Sequence, residues 1–370
     1  MDVVPVLNPR DLDRFIRFLY DRYRTDPHWV APLPSDEKAR LTPGKNPYFE
    51  HAEAAYFLAV DAGRVVGRVS ASTDRNYDAV HGERQATFGF FEAESGAAAV
   101  ALLGAAESWA RGKGAVVVRG PMSFTTNDEC GLLVEGFGRR PALLMPYNGP
   151  DYAGWIEASG FTKAKDLYSF RVPVPEQPYP PFARAARAVR RRENVTTRGL
   201  NLKRFDEELG RVKEIYNSAW EQNWGFVPMT DHEIDHMASQ LKPAVVPSLI
   251  RFAEVDGKAI AFVMIVPDVN IALQPIRGRL FPFGIVRLLW GLPRIREGRL
   301  MAMGIRADWR MKGIAPLLIE EISVETRKLG YTEAEVGWTL EDNHLVNALI
   351  LDMKGRRAGV YRIYEKRIGA

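Results

Sequence analysis

The sequence predicts an α+β protein built from two copies of one unit, and three observations carry that prediction. The chain has 370 residues, more than one hydrophobic core ordinarily organises and comfortable for two. Near its middle, Pro173, Pro175, Pro178, Pro180 and Pro181 fall within nine residues, and neither a helix nor a central strand continues through such a run. On either side of this break the same order of patterns occurs.

In the first half a helical stretch, Asp11 to Arg24, precedes two β-rich runs, Tyr56–Val60 and Arg64–Val69, joined through Asp61-Ala62-Gly63. In the second, Asp206 to Glu221 precedes Arg251–Val255 and Lys258–Val263, joined through Asp256-Gly257. Glycine at such a turn supplies the positive φ that a tight hairpin needs. Each half then gives a short strand, a helix (Gly96–Arg111; Ala315–Leu329), another strand (Ala115–Arg119; Glu333–Trp338) and a further helix. The expected division is 1–172, a proline-rich linker with a basic helix at 173–193, and 194–370 with an insertion at 271–298.

Composition narrows the function classes. Hydrophobic residues make up 46% and charged residues 26%, the balance of a folded chain rather than a disordered one. No apolar run reaches the roughly 18–20 residues of a spanning helix, and Met1-Asp2-Val3-Val4-Pro5 has no basic region leading into an apolar one, so no secretory leader is expected. Cys130 is the single cysteine, which excludes an internal disulfide and a cysteine-based zinc site. A cytoplasmic location is the resulting expectation. Fifty Lys+Arg against 46 Asp+Glu leaves +4, too little for a global nucleic-acid field. Local clusters matter more: Arg184, Arg187, Arg190, Arg191, Arg192 and Arg198 lie close together, and six arginines face one glutamate between Ile271 and Arg299. Both read as surfaces for anionic partners such as phosphates or lipid headgroups.

The most informative stretch is Leu300 to Leu318. A strand is expected to end at Ile305, a loop carries Arg310-Met311-Lys312-Gly313-Ile314-Ala315, and a helix follows with Pro316 in its first turn, where a missing N–H costs nothing. Unpaired N–H groups and the positive end of the helix dipole form an anion site there. Gly313 lets the backbone approach a phosphate, and Arg310 and Lys312 add charge. The expected ligand is a diphosphate.

Arg-x-x-Gly-x-Ala between a strand and a helix resembles motif A of the GNAT superfamily of acyl-CoA-dependent N-acyltransferases. The resemblance runs from about Val195 to Ile368. It implies two tandem GNAT-like domains, each a mixed, mostly antiparallel sheet flanked by helices, with acyl-CoA as co-substrate and no metal. It further implies that the backbone of Arg310, Met311, Lys312, Gly313, Ile314 and Ala315 holds the pyrophosphate of coenzyme A, and that splayed backbone at Met303, Gly304 and Ile305 serves the thioester. Glu341-Asp342-Asn343, leading into a helix toward Lys354-Gly355, resembles motif B and makes Asn343 a cofactor-site residue. The tyrosine that often follows this Asn in the family would fall at Ile350 or Leu351. Protonation of the leaving thiolate is therefore expected from Tyr361, Tyr364 or water. The first half keeps the strand Phe88–Glu92 and a motif-B-like Asn148-Gly149-Pro150-Asp151-Tyr152, but Ala93-Glu94-Ser95-Gly96-Ala97-Ala98 stands where the loop would be. Its expected role is to scaffold or to shape the substrate site.

N-acylation needs a base for the amine and a hydrogen bond to the thioester oxygen. Glu335, on the strand beside the expected acyl site, and Glu341, at its exit, are the candidate bases; each reads equally well as a solvated residue. Asn127-Asp128-Glu129-Cys130 could line an acceptor pocket or form a turn capped by Asn and Asp. The insertion carries Phe281, Phe283 and Trp290 among arginines and is broken by Pro and Gly. It suits an interfacial segment on an anionic membrane surface, a lid over a long acyl chain, or an apolar hairpin packed on the first domain. This insertion and the tandem plan resemble bacterial two-domain GNAT-like acyltransferases, some linked to sphingolipid N-acylation (ceramide synthesis). That points to a lipid amine as acceptor and to a peripheral position on the inner face of the cytoplasmic membrane. Small-molecule or amino-acid N-acetylation and a non-catalytic acyl-CoA- or membrane-binding role are the alternatives. His232-Glu233-Ile234-Asp235-His236 matches the zinc-protease pattern, but Thr230-Asp231 reads as the cap of an exposed helix. No nucleic acid partner is expected, because the Arg190–Arg192 run lacks interleaved aromatics.

Overall fold

The computed structural model describes residues 1–220 and 223–369; the expected helix end at Glu221 lies outside the described residues. The chain forms two compact units. One comprises Met1–Tyr168, Ala272–Leu288 and the chain from Ala358 onward; the other comprises Ser169–Ile271 and Leu289–Arg357.

In the first unit, α1 (Pro9–Arg22) starts where the Asn8 side chain accepts from the Asp11 N–H, with proline in its first positions. Strands β1 (Asp2–Pro5), β2 (Ala52–Asp61), β3 (Arg64–Asp74) and β4 (Gln85–Ala93) lie side by side and antiparallel. The β2–β3 turn is Ala62-Gly63, both at positive φ (46° and 80°), so Asp61 is the last strand residue rather than part of the turn. Helix α2 (Gly96–Gly112) then returns the chain to β5 (Val117–Gly120), which pairs parallel to β4. Leu102, Leu103, Ala106 and Ala110 of α2 pack on Val69, Phe88 and Val118. Phe15 and Ile16 of α1 pack with Leu58, Phe90 and Phe124 in a second cluster. A short β6 (Leu132–Glu135) follows.

The chain continues through β7 (Thr162–Pro173), α3 (Pro180–Glu193), β8 (Thr196–Gly199), α4 (Phe205–Trp220), α5 (Asp231–Leu241), β9 (Ile250–Val255) and β10 (Lys258–Pro267). Then come α6 (Gly284–Gly291), β11 (Glu297–Ile305), α7 (Ile314–Lys328), β12 (Glu333–Leu340), α8 (His344–Asp352) and β13 (Arg356–Arg367). In the second unit the strand order is β12-β11-β10-β9-β8, with β11 and β12 parallel and the other pairs antiparallel. The β9–β10 turn holds Asp256 and Gly257 at φ 48° and 74°, the two-residue hairpin geometry. One cluster joins Leu317, Leu318 and Ile322 of α7 to Ala186 and Val189 of α3 and to Ala334 of β12. The other joins Ile215 of α4 to Phe252, Phe262 and Ala302. The sheet is thus lined by α7 and α3 on one face and by α4 on the other. Both units are α+β with mixed, mostly antiparallel strands, as expected.

Two segments take places that the linear order of the chain does not suggest. Strand β13 pairs antiparallel with β5, from Tyr364↔Gly120 to Arg367↔Val117, and with β6, so the end of the chain completes the first unit. The start of the insertion also belongs there. Ala272 and Ile276 are buried, Gln274 Nε2 donates to Pro27 O at 2.8 Å, and Arg277 Nη1 donates to Arg24 O at 2.8 Å.

Candidate active site

The parallel register of β11 and β12 runs from Glu297↔Glu333 to Leu300↔Val336 and ends there, although the strands continue to Ile305 and Leu340. Beyond Leu300, β11 stays paired to β10 alone, through Met303↔Val263, Gly304↔Phe262 and Ile305↔Ala261, after a bulge that leaves Met301 without a counterpart. Met303, Gly304 and Ile305 therefore present main-chain groups toward a parting of two strands. Such an edge can hydrogen-bond an extended, amide-bearing ligand. Gly304 also lets α4 come close: a Cβ there would stand 3.0 Å from atoms of Ile215, Phe262 and Trp220.

The loop beyond Ile305 makes one 3₁₀ turn, Ala307–Trp309, passes Arg310 and Met311 (φ 63°), and enters α7 through Gly313 at φ 85°. No side chain caps this helix. The N–H groups at Gly313, Ile314 and Ala315 have no partner within the helix, as at any helix start, and this is the arrangement that can take an anion. Glycine is needed at 313 on two counts, since a Cβ would also lie 2.7 Å from Val189 Cγ2 of α3. The Arg310 guanidinium donates to Ser218 O (3.3 Å) and Ala219 O (2.9 Å) at the end of α4, so it tethers the loop. Lys312 Nζ lies 4.2 Å from the Trp309 ring centroid, and Arg192 of α3 donates to Lys312 O at 3.3 Å. The basic run of α3 thus contributes a cation to the loop.

Glu335 is a buried strand carboxylate. Ser169 Oγ donates to its Oε1 at 2.5 Å, and Arg299 stands opposite it in the register. Arg299 Nη2 also donates to Gly337 O at 3.2 Å, the carbonyl just past the last paired residue. Because Ala334 faces the α7 cluster and strand side chains alternate, Glu335 faces the opposite side of the sheet. Glu341 follows β12 directly and is half-buried. Asn343 caps α8, its side chain accepting from Val346 N–H at 3.3 Å, which fixes the turn out of β12.

Tyr361 and Tyr364 are buried in β13 of the first unit. The Tyr364 hydroxyl donates to Glu157 at 3.0 Å, and burial, with that bond, pushes its pKa up to about 12. Asn127 and Asp128 form a turn of the first unit in which Asp128 Oδ2 accepts from Thr125 N (3.3 Å) and Oγ1 (3.2 Å), and Arg40 lies 3.9 Å from Asp128. Phe281, Phe283 and Trp290 are exposed. In the His-Glu-x-x-His stretch, Glu233 completes a capping box with Thr230, and among the described residues no group of three His, Cys, Asp or Glu side chains is arranged to hold a metal.

The same positions of the first unit are closed. Helix α2 is capped by Ser95, whose side chain accepts from Ala98 N–H at 3.3 Å, and Trp155 covers Gly96, where a Cβ would stand 3.0 Å from its ring. At the end of β4, Glu92 is buried and accepts from Tyr23 (2.8 Å) and Tyr152 (2.6 Å); burial pushes its carboxyl above the ordinary range.

No protein-family profile matches the chain. The structure of a tandem GNAT protein from the clavulanic acid biosynthesis pathway matches 100% of this chain and 99% of its own, with a TM-score of 0.56 at 14% identity, a likeness of fold alone. Protein YghO of Escherichia coli (strain K12) is 36% identical over 369 residues, covering 98% of this chain and 94% of YghO. A protein named bacterial ceramide synthase, from Caulobacter vibrioides (strain NA1000 / CB15N), is 35% identical over 381 residues, covering 99% and 97%. The chain belongs to the bacterial ceramide synthase family. Its tandem GNAT architecture is that expected from the loop at 310–315. In this member of the ceramide synthase family, sequence reasoning missed Ser169 and Arg299 beside Glu335, and Arg192 at the loop. Arg192 and Arg299 carried a signal only as members of the two basic clusters, and Ser169 carried none.

Proposed function

We propose that this acyltransferase moves an acyl group from the thioester of acyl-CoA to the primary amine of a lipid, a long-chain acyl group to a sphingoid-type base, to give an amide. The observation that carries the reading is the parting of β11 and β12, which leads directly to the uncapped start of α7 behind Gly313. The pantetheine amides lie along Met303–Ile305. The pyrophosphate meets the N–H groups at residues 311–315, with Lys312 and Arg192 adding positive charge and Arg310 and Asn343 holding the flanking turns. The amine nitrogen attacks the thioester carbon, a C–N bond forms, the C–S bond breaks, and coenzyme A leaves as a thiolate that takes up a proton. Glu335 receives the amine proton: it is a carboxylate that accepts from Ser169 and stands opposite Arg299 in the register, one residue before the strands part. Glu341 is the second candidate base. Tyr361 and Tyr364 are buried side chains and the Tyr364 hydroxyl donates to Glu157, so water supplies the proton to sulfur on this reading. A lipid acceptor implies work at the inner face of the cytoplasmic membrane, on an anionic surface met by residues 271–298.

Titration calorimetry with acetyl-CoA and palmitoyl-CoA, followed by mass spectrometry of the amide formed from a sphingoid base, tests the proposal. Binding and amide formation with the long-chain donor are expected. Amide formation only with acetyl-CoA and soluble amines would replace it with small-molecule acetylation, and binding without turnover would leave a non-catalytic acyl-CoA-binding protein.

A further inference from the structure

Helix α6 and the loop before it expose apolar side chains that nothing in the described structure covers. No residue of Gly284–Gly291 is buried, although its sequence includes Ile285, Val286, Leu288, Leu289 and Trp290. Phe281 is 83% exposed, Phe283 74% and Trp290 66%. A contiguous apolar surface of this kind marks an interaction site. Its footing is fixed, because Ala272 and Ile276 are buried and Gln274 and Arg277 are hydrogen-bonded to the first unit.

Charge selects the occupant. Arg279, Arg287 and Arg294 are exposed along the same segment, and Arg294 lies over the Trp290 ring at 3.6 Å. No aspartate or glutamate lies between Arg279 and Arg294. Two copies of the chain meeting through this surface would oppose like charges. A leaflet with anionic headgroups answers both the arginines and the apolar side chains. No described helix is long and apolar enough to cross a membrane, so the segment lies on the surface.

We propose that residues 279–294 are an interfacial anchor: Phe281, Phe283, Leu289 and Trp290 enter the headgroup–acyl boundary of an anionic bilayer while Arg279, Arg287 and Arg294 meet lipid phosphates. This deepens the lipid-acceptor reading and rests on it for the reason a bilayer is the occupant. The test is co-flotation of the full chain, without substrates, on vesicles of phosphatidylcholine alone and of phosphatidylcholine with about one third phosphatidylglycerol, a composition in the range where basic amphipathic segments bind. The chain is expected to float with the anionic vesicles and to be released by salt. A Phe281→Ser/Phe283→Ser/Trp290→Ser variant, and separately Arg279→Gln/Arg287→Gln, are expected to bind at least roughly tenfold more weakly, with unchanged melting temperatures because all five side chains are exposed. Equal flotation of the triple variant overturns the anchor. So does a wild-type dimer in light scattering that the triple variant abolishes while neither protein binds vesicles. Vesicle binding without amide formation keeps the anchor and overturns the proposed reaction; amide formation without vesicle binding does the reverse.

Discussion

Replacing Gly313 tests the anion site where it is most sharply defined. The residue sits at φ 85°, and a left-handed conformation costs an L side chain roughly 1–2 kcal/mol. A Cβ would also lie 2.7 Å from Val189 Cγ2, and forcing methyl-sized groups into a packed contact adds about 1–3 kcal/mol. The loop can escape this strain of ~2–5 kcal/mol by moving its N–H groups off the phosphates; at 1.4 kcal/mol per decade, Gly313→Val should weaken coenzyme A binding ~30-fold or more. The two costs separate experimentally. Gly313→Ala in a Val189→Ala background keeps the backbone strain and removes the overlap, so its loss should be only ~5–30-fold, measured against Val189→Ala alone. Titration calorimetry with coenzyme A is the assay, and thermal melting shows whether the change stays local. Gly313→Val binding coenzyme A within about threefold of wild type, a difference well under 1 kcal/mol, would refute the reasoning.

Other outcomes follow from neighbouring features. Glu335→Gln should lower kcat/KM by roughly 10²–10⁴ and remove the acidic limb of the pH–rate profile, with little change in melting temperature because the amide oxygen still accepts from Ser169. An intact acidic limb would transfer the base role to Glu341. Arg192→Ala/Lys312→Ala should weaken coenzyme A binding severalfold and flatten its salt dependence, since cations within reach of solvent act through screened fields; an unchanged salt slope would contradict that. Burial holds the Tyr364 pKa up at about 12, above its unfolded value. The protonated form is therefore favoured in the folded state, and the associated stability is present at neutral pH and lost as pH rises from 10 toward 12. Tyr364→Phe should shallow the alkaline fall in melting temperature, and an identical slope would rule out this contribution.

Local chemistry made much of the second unit legible. Asp256-Gly257 marks its hairpin, Pro316 the start of α7, and Arg310 to Ala315 the loop between strand and helix. These features act within a few residues of themselves, so their meaning does not depend on distant chain. Strand β13 was not legible in the same way. Its pairing with β5 joins residues 244 to 250 positions apart, and a β-branched and aromatic run such as Val360 to Tyr364 states only that it is a strand, not which neighbour it takes. Tyr361 and Tyr364 belong to the first unit for that reason, although the order of the chain sets them after the second. Arg310 illustrates a different limit: its charge was visible, but its bonds to Ser218 O and Ala219 O depend on where α4 ends. The contrast between Ser95 and Gly313 is instructive as well. The missing motif in the first half was readable, whereas the cover supplied by Trp155 comes from a helix some sixty residues away and needed the fold.

The return of β13 to β5 and β6 also constrains how this protein can be made. A ribosome would release all of residues 1–168 long before the strand that pairs with β5 has been synthesised, so the first unit must wait, with an edge unpaired, until Arg356–Arg367 has been made. A fragment cut at the proline run would inherit that open edge permanently, so the first unit needs residues 356–367 as much as any strand of its own.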